Sequence, residues 1–343
     1  MALTLVTGGS GYFGNIVVRQ LAERGVRVRV FDLRDSSDRP APVEFLRGDI
    51  RNPEDVRAAL RDVEVVHHNV ALVPLAKAKQ EFWNVNVAGT ENLLAACQEA
   101  KIKKLIHLST SAIFGAPENN PVTEETAPAP AEEYGRAKWE GEKRVREAVR
   151  RGLDATIIRP RTILGHGRLG IFQILFDWVA AGKNIYVLGR GANRYQFIFA
   201  DDLARACLRA ADRPGPAVYN IGTDRYCTMR ETLQALVDHA ATGSRVKSLP
   251  AGLAALGMKL LDRLGLSPLG PYHYLMYGRE LFFDISQAQR ELGFQPTLSN
   301  QEMICHSYDW YLKNRDQLKA DGSSSAHRSP VKLKLLQILK WLS

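Results

Sequence analysis

Cysteine is scarce in this chain. The 343 residues hold four, Cys97, Cys207, Cys227 and Cys305, and no two of them stand at metal-ligand spacing. This excludes a disulfide framework, gives no metal site, and suits a reducing cytoplasm. Long apolar runs are also missing, so no bilayer span is expected. The chain enters a strand within its first residues, which leaves no signal peptide to expect. Charge of one sign is not spread over the body either. The net charge is +9, and residues 313–343 carry seven Lys and Arg against two Asp, +5 of that total. The rest forms no basic stripe interleaved with aromatics, so nucleic acid is not an expected partner. Hydrophobic content of 45% and charged content of 24% are those of an ordinary globular protein, long enough for two lobes.

What is present begins at the N-terminus. The apolar run Leu3–Val6 leads into Thr7-Gly8-Gly9-Ser10-Gly11-Tyr12-Phe13-Gly14, and a helical pattern, Asn15 to Arg24, follows. Gly8, Gly11 and Gly14 have the spacing of a dinucleotide-binding turn. The first allows a sharp turn, the second a close approach to pyrophosphate, and the third close packing of helix on strand. A second strand, Val26 to Phe31, ends in Asp32, 18 residues past Gly14, where an acid can bind adenosine ribose hydroxyls.

Strand-like and helix-like segments then alternate. The strands are Leu3–Thr7, Val26–Phe31, Glu44–Leu46, Val63–His68, Lys104–Ser109, Ala155–Arg159 and, later, Ala217–Ile221; the helices include Pro53–Leu60, Glu81–Ala100, Glu132–Arg150 and Ile171–Ala181. The alternation predicts an α/β fold, a doubly wound parallel Rossmann sheet over residues 1–165, with part of 195–225 returning to it and ligands beyond the carboxyl ends of the strands. Residues 166–318 are expected to form a smaller C-terminal substrate lobe, which the apolar stretch Leu253–Leu264 caps or opens to a lipid. Residues 319–343 read as a linker and a basic amphipathic helix: Val331, Leu335, Ile338, Leu339 and Leu342 share one stripe. That helix either contacts a membrane surface, placing the protein at the inner membrane face, or docks on protein.

Tyr134 and Lys138 are four apart on the helix that follows Pro130. Of the 11 tyrosines, only Tyr134 has a lysine at +4. A lysine ammonium beside a phenol favours the phenolate, so a lowered tyrosine pKa is expected, and with it a proton carrier usable near neutral pH. The fifth strand ends Leu108-Ser109-Thr110-Ser111, which offers a hydroxyl to the same substrate oxygen.

Together these segments resemble the extended short-chain dehydrogenase/reductase family, the group containing sugar epimerases and dehydratases. The likeness runs from Leu3 to about Leu312. Gly48-Asp49-Ile50 is similar to its adenine-contacting turn, Asn86-Val87-Ala88-Gly89-Thr90 to its Asn-Val-x-Gly-Thr helix, and Ser109-Thr110 with Ile113-Phe114-Gly115 to its catalytic hydroxyl segment. Arg159-Pro160, Asp201-Asp202-Leu203 and Leu292-Gly293-Phe294 match later landmarks. The resemblance implies catalysis by Thr110, Tyr134 and Lys138. Tyr134 would exchange a proton with a secondary alcohol or ketone while hydride passes to or from nicotinamide. It implies cofactor contacts from Gly8, Gly11, Tyr12, Phe13, Gly14, Asp32, Arg34, Asp49, Ile50, Asn69, Val70, Ala71, Asn86, Ser109, Tyr134, Lys138 and Pro160. NAD is expected over NADP, because Asp32 repels a 2′-phosphate, although Arg34 softens that preference. A homodimer through the helices 81–100 and 132–150 is also implied.

Some residues depart from the pattern. Ser111-Ala112 stands where the dehydratases carry Asp-Glu, which argues against water loss. Thr162 stands in the place of the nucleotide-sugar enzymes' Asn, Arg194 sits one place early for their phosphate contact, and Arg279 is a candidate for their later clamp. These residues, with Ser111 and Ala112, are the expected substrate contacts. His67 and His68 could face the site or the core, the core being commoner for strand histidines. Three functions remain open: an NAD-dependent epimerase or oxidoreductase acting on a nucleotide- or lipid-linked sugar; a 3β-hydroxysteroid, sterol-like or isoprenoid alcohol dehydrogenase; and a non-catalytic nucleotide-sensing regulator.

Overall fold

The computed structural model describes residues 3–73, 79–168, 170–250 and 278–320. The apolar stretch Leu253–Leu264 and the basic tail helix lie outside the described residues. Seven parallel strands form the central sheet: β1 (Leu3–Thr7), β2 (Arg27–Asp32), β3 (Glu44–Arg47), β4 (Val63–His68), β5 (Lys104–Leu108), β6 (Ala155–Pro160) and β11 (Ala217–Ile221). Their spatial order is β3-β2-β1-β4-β5-β6-β11. Every residue of β1 and β6 is buried, as suits strands covered on both faces.

Two helical layers do the covering. On one face α1 (Tyr12–Glu23) and α7 (Ala200–Asp212) pack Ile16, Val17, Leu203 and Cys207 against Val6, Ile106, Ile158 and Tyr219. On the other, α2 (Pro53–Ala59), α4 (Gly89–Glu99) and α5 (Glu133–Arg150) pack Val56, Leu93, Cys97 and Val145 against Leu5, Val66, Leu105 and Ile157. Each such aliphatic side chain contributes about 1.5–3 kcal/mol over leaving it in water. Asn52 caps α2 by accepting from Glu54 N, and Glu132 caps α5 by accepting from Tyr134 N and Gly135 N at 2.8 and 2.6 Å. The helix read as 81–100 is in three parts: α3 (Lys79–Trp83), a π-helical turn (Asn84–Ala88) and α4. Such π turns mark places where a side chain is re-aimed. Here Asn86 grips the loop after β4, accepting from Leu72 N at 2.9 Å and donating to Leu72 O at 3.1 Å.

The smaller lobe has its own core. Helices α6 (Ile171–Ala180), α8 (Met229–Ala240) and α10 (Asn300–Ala320) join Phe172, Phe176, Leu236, Met303, Ile304, Tyr308 and Tyr311 around the paired strands β8 (Ile185–Leu188) and β13 (Val246–Leu249). Helix α10 runs through Ala320, beyond the expected linker start at 319. Short pairs β7 (Thr162–Leu164) with β10 (Phe197–Phe199), and β9 (Arg194–Tyr195) with β12 (Cys227–Thr228), join the lobes, and α9 (Ser286–Leu292) packs beside β11. No helix among the described residues is long and apolar enough to cross a membrane.

His67, His68 and His107 are each 1% exposed and lie inside the sheet layer, not in the site. His68 is held between Thr7 Oγ1 and Thr90 Oγ1 at 2.8 and 3.1 Å, whereas neither ring nitrogen of His67 or His107 has a partner. Burial pushes His67 down to about 4 and His68 to about 3, and the nearby Arg24 and Lys138 charges add to it; His107 also falls well below 6.5. The unfolded chain therefore takes up protons below pH 6.5 that the native fold refuses until near pH 4. Stability is full above pH 6.5 and falls as the pH drops through that window, by about 1.4 kcal/mol per pH unit for each histidine. Urea unfolding of His67→Leu is expected to show a shallower pH slope than wild type between pH 6.5 and 4.5. Identical slopes would refute this account of His67.

Candidate functional site

The carboxyl ends of β1, β4, β5 and β6 open on one side of the sheet, and the glycine turn lies at their centre. Gly8 has φ +70°, and a Cβ there would come within 2.9 Å of Val70 N, so the turn sits directly against the loop after β4. Gly14 is more constrained: a Cβ would meet Gly8 O at 2.1 Å. Asp32 at the end of β2 accepts from Ser10 N at 3.1 Å and Leu33 N at 2.7 Å, which fixes its carboxylate beside the turn. Burial raises its pKa, and these backbone donors oppose the rise. Ser10 Oγ and Asn69 Nδ2 flank the turn, buried and without hydrogen-bond partners. A cradle of backbone N–H groups, a fixed acid and two unsatisfied polar atoms fit a dinucleotide.

Next to it lies the proton-transfer group. Thr110 caps the 3₁₀ turn Ser111–Phe114, its Oγ1 accepting from Ala112 N at 3.2 Å, and it shares a hydrogen bond with the Tyr134 phenol. Phe82 meets the Tyr134 ring edge-on at 6.0 Å. Lys138, one turn further along α5 and 3% exposed, donates from Nζ to Leu108 O at 2.7 Å. The expected lowering of the Tyr134 pKa is not what the structure gives. Burial pushes the phenol up to about 12, against the Thr110 hydrogen bond, and burial pushes Lys138 down to about 8, against the Glu142 charge. Desolvation wins because both groups are enclosed and the ammonium is spent on the Leu108 carbonyl.

Glu142, a further turn along α5, escaped notice in the sequence. It is 0% exposed and accepts from Arg159 Nε at 3.1 Å, Arg146 Nη2 at 3.0 Å and Ser109 Oγ at 2.9 Å. Burial alone would raise its carboxyl, but Arg159, with Arg146 and Ser109, outweighs burial and holds it below the usual carboxylate value. The i, i+4, i+8 row Tyr134, Lys138, Glu142 is the signal that could have found it. The Ser109 hydroxyl, on a residue expected to contact the cofactor, is thus tied into this cluster. Arg161, also missed, donates from Nη1 to Ser111 Oγ at 2.8 Å.

Other expected contacts lie apart. Arg194 is exposed, ion-paired to Glu280 at 3.2 Å and stacked over Phe282. Arg279 is exposed, and its carbonyl accepts from Asn193 Nδ2. Thr162 Oγ1 is tied to the Tyr195 hydroxyl at 2.7 Å. Asp49 is engaged by Arg51 at 2.6 Å, Ile50 packs under Gly89, and Arg34 is exposed. Tyr12, Phe13, Ala112 and Pro160 are buried around the turn and the strand ends, while Val70 and Ala71 are half-buried.

A doubly wound sheet, a glycine turn and a Thr-Tyr-Lys group at one strand edge define a Rossmann-type oxidoreductase or epimerase. The chain belongs to the NAD dependent epimerase/dehydratase family, which matches residues 4–222, ending just past β11. It is 53% identical over 338 residues to protein y4nG of Sinorhizobium fredii, covering 98% of this chain and 85% of that one. It is 28% identical over 320 residues to the sterol-4-alpha-carboxylate 3-dehydrogenase, decarboxylating, of Mus musculus, covering 87% of this chain and 88% of that one. The Thermus thermophilus UDP-glucose 4-epimerase, solved as its complex with NAD, superposes with a TM-score of 0.73 at 25% identity, over 90% of this chain and 99% of that one.

Removing the buried Glu142 charge leaves Arg159 uncompensated. Glu142→Gln is expected to lower the unfolding free energy by about 3–5 kcal/mol, read by urea denaturation at pH 7. A loss under about 1 kcal/mol would show that Arg159 finds another partner.

Proposed function

We propose that the protein is an NAD-dependent dehydrogenase or ketoreductase of a secondary alcohol on a lipid-like substrate, running with net redox. The observation that carries the chemistry is the Thr110–Tyr134 hydrogen bond in an enclosed site beside the glycine turn. NAD, when bound, supplies the acceptor for the carbinol hydride. The residues present fit it: Gly8, Gly11 and Gly14 leave room for the pyrophosphate and Asp32 would take the ribose hydroxyls. Tyr134 removes the proton from the substrate hydroxyl and returns it in the reverse direction. Thr110 steadies the oxygen. Lys138 anchors the first turns of α5 on Leu108 O. With the phenol near 12, Tyr134 rests as the proton donor and is poised for ketone reduction. Alcohol oxidation needs the phenolate, so its rate is expected to rise with pH above 7.

Two observations support a lipid-like alcohol over a nucleotide sugar. Arg194 is already paired with Glu280, and Thr162 with Tyr195, so two of the positions expected to hold a sugar nucleotide already have partners. The mouse relative, similar over most of this chain, carries a sterol dehydrogenase name. The sugar reading keeps one support, the shared fold with the UDP-glucose 4-epimerase. Net NADH separates the two, since an epimerase returns its cofactor unchanged.

Purified protein with NAD and parallel panels of hydroxysteroids, hydroxy lipids and UDP-sugars is expected to accumulate NADH on a lipid alcohol. Tyr134→Phe is expected to cut kcat by about 10²–10⁴. An isomerised sugar without lasting NADH would overturn the redox reading, and full activity in Tyr134→Phe would overturn the mechanism. Gly14→Ala is expected to weaken NAD binding about tenfold or more in a fluorescence titration, because its methyl would collide with Gly8 O. Unchanged affinity would place the cofactor elsewhere.

A further inference from the structure

Two arginines stand two residues apart where β6 leads into β7, and each is 1% exposed. Arg159 is satisfied: Glu142 neutralises it, Glu124 O accepts from Nη1 at 3.2 Å, and its guanidinium lies over Phe114. Arg161 is not. Nη1 donates to Ser111 Oγ, but Nε and Nη2 are buried with no hydrogen-bond partner. No carboxylate among the described residues lies within ion-pair distance of it. Its guanidinium packs on two aromatic rings, 4.7 Å from the Tyr195 centroid and 5.6 Å from that of Phe283. The backbone is pinned, Arg161 N donating to Ile221 O at 2.8 Å, and Tyr195 is held by Thr162.

An unpaired buried guanidinium is a costly arrangement. Cation–π contact and one neutral hydrogen bond recover part of the lost hydration, and each unsatisfied donor remains a cost to the fold. Arg159, two residues away, receives a carboxylate from α5, so the fold is able to neutralise an arginine here and leaves Arg161 without. The two idle N–H groups belong to one planar fork, whose matching ligand is a carboxylate bound in two-point fashion. Ser111, which Arg161 already holds, directly follows Thr110, the partner of Tyr134.

We propose that Arg161 binds a carboxylate carried by the substrate close to the reacting carbinol, so that the substrate class is a hydroxy acid, or its keto acid, with an apolar body. A β-hydroxy acid is the simplest member of that class, and serves as the probe. The proposal rests on the reading of Tyr134 as the proton-transfer group, and makes Arg161 a residue that recognises the substrate without taking part in the proton transfer.

The test is calorimetry of the full-length protein with NADH bound, which blocks oxidation, comparing 3-hydroxydecanoate with its methyl ester for wild type and Arg161→Gln. Wild type is expected to bind the acid about tenfold or more tightly than the ester, and Arg161→Gln to bind the two alike. Equal binding of acid and ester by wild type, or no binding of either, overturns the proposal, and so does an acid preference that survives in Arg161→Gln. The wild-type comparison stands even if the variant fails to fold. NADH formation from the same acid with NAD is read separately. Its absence alongside Arg161-dependent acid binding counts against the redox reading and leaves the carboxylate site standing.

Discussion

The buried ion pair between Glu142 and Arg159 is the constraint on which the site depends. It joins the middle of α5 to the end of β6, and the Ser109 hydroxyl ties the same carboxylate to the end of β5. One turn earlier, Lys138 makes a second attachment at Leu108 O. A helix fixed at two successive turns on one stripe cannot roll, so Tyr134 on the next turn is delivered to Thr110 without freedom to drift. A buried pair of this kind adds little net stability compared with apolar packing, and its value lies in geometry. Positional demands on a proton-transfer group are of that order, where a displacement of about 1 Å can cost a hundredfold in rate.

The site is dry as well as rigid, and dryness sets its resting chemistry. Tyr134 and Lys138 are driven in opposite directions by the same cause, each toward its neutral form. Bringing a positively charged nicotinamide ring and a polar substrate into such an enclosure changes the field far more than it would at a wet surface. The free protein and the working complex are therefore expected to hold the phenol proton with different strength.

Much of this was legible in the sequence. All seven strands of the sheet stand out, the inner ones, such as LTLVT and ATIIRP, because strands buried on both faces are rich in aliphatic residues. The glycine turn and the Tyr134–Lys138 spacing are local, and local signals survive reading one residue at a time. What escaped is non-local. Glu142 sits in a stretch of alternating charges, EGEKRVREAVR, that looks like a solvated helix face until a strand 17 residues on places Arg159 against it. Arg161 looks like any loop arginine until Tyr195 and Phe283 close over it. The pKa of Tyr134 is hidden for the same reason: spacing reveals a neighbour's charge and says nothing of how little water surrounds it. Helix α10 does carry a helical stripe, Met303, Ile304, Tyr308 and Tyr311, but its aromatic members mark it less plainly than aliphatic ones would.

The place of β11 in the sheet bears on how the chain is born. β6 ends at Pro160 and its partner β11 begins at Ala217, so the outermost strand of a sheet otherwise complete by residue 160 arrives 57 residues later. At about 5–20 residues per second a ribosome takes roughly 3–12 s to supply it. During that interval β6 is an edge with an unpaired backbone and the apolar Ile157 and Ile158 at its middle, the kind of surface that templates pairing with another nascent chain. Its last residue, Pro160, has no N–H to offer an intruding strand, and so blunts one end of that edge until the native partner emerges.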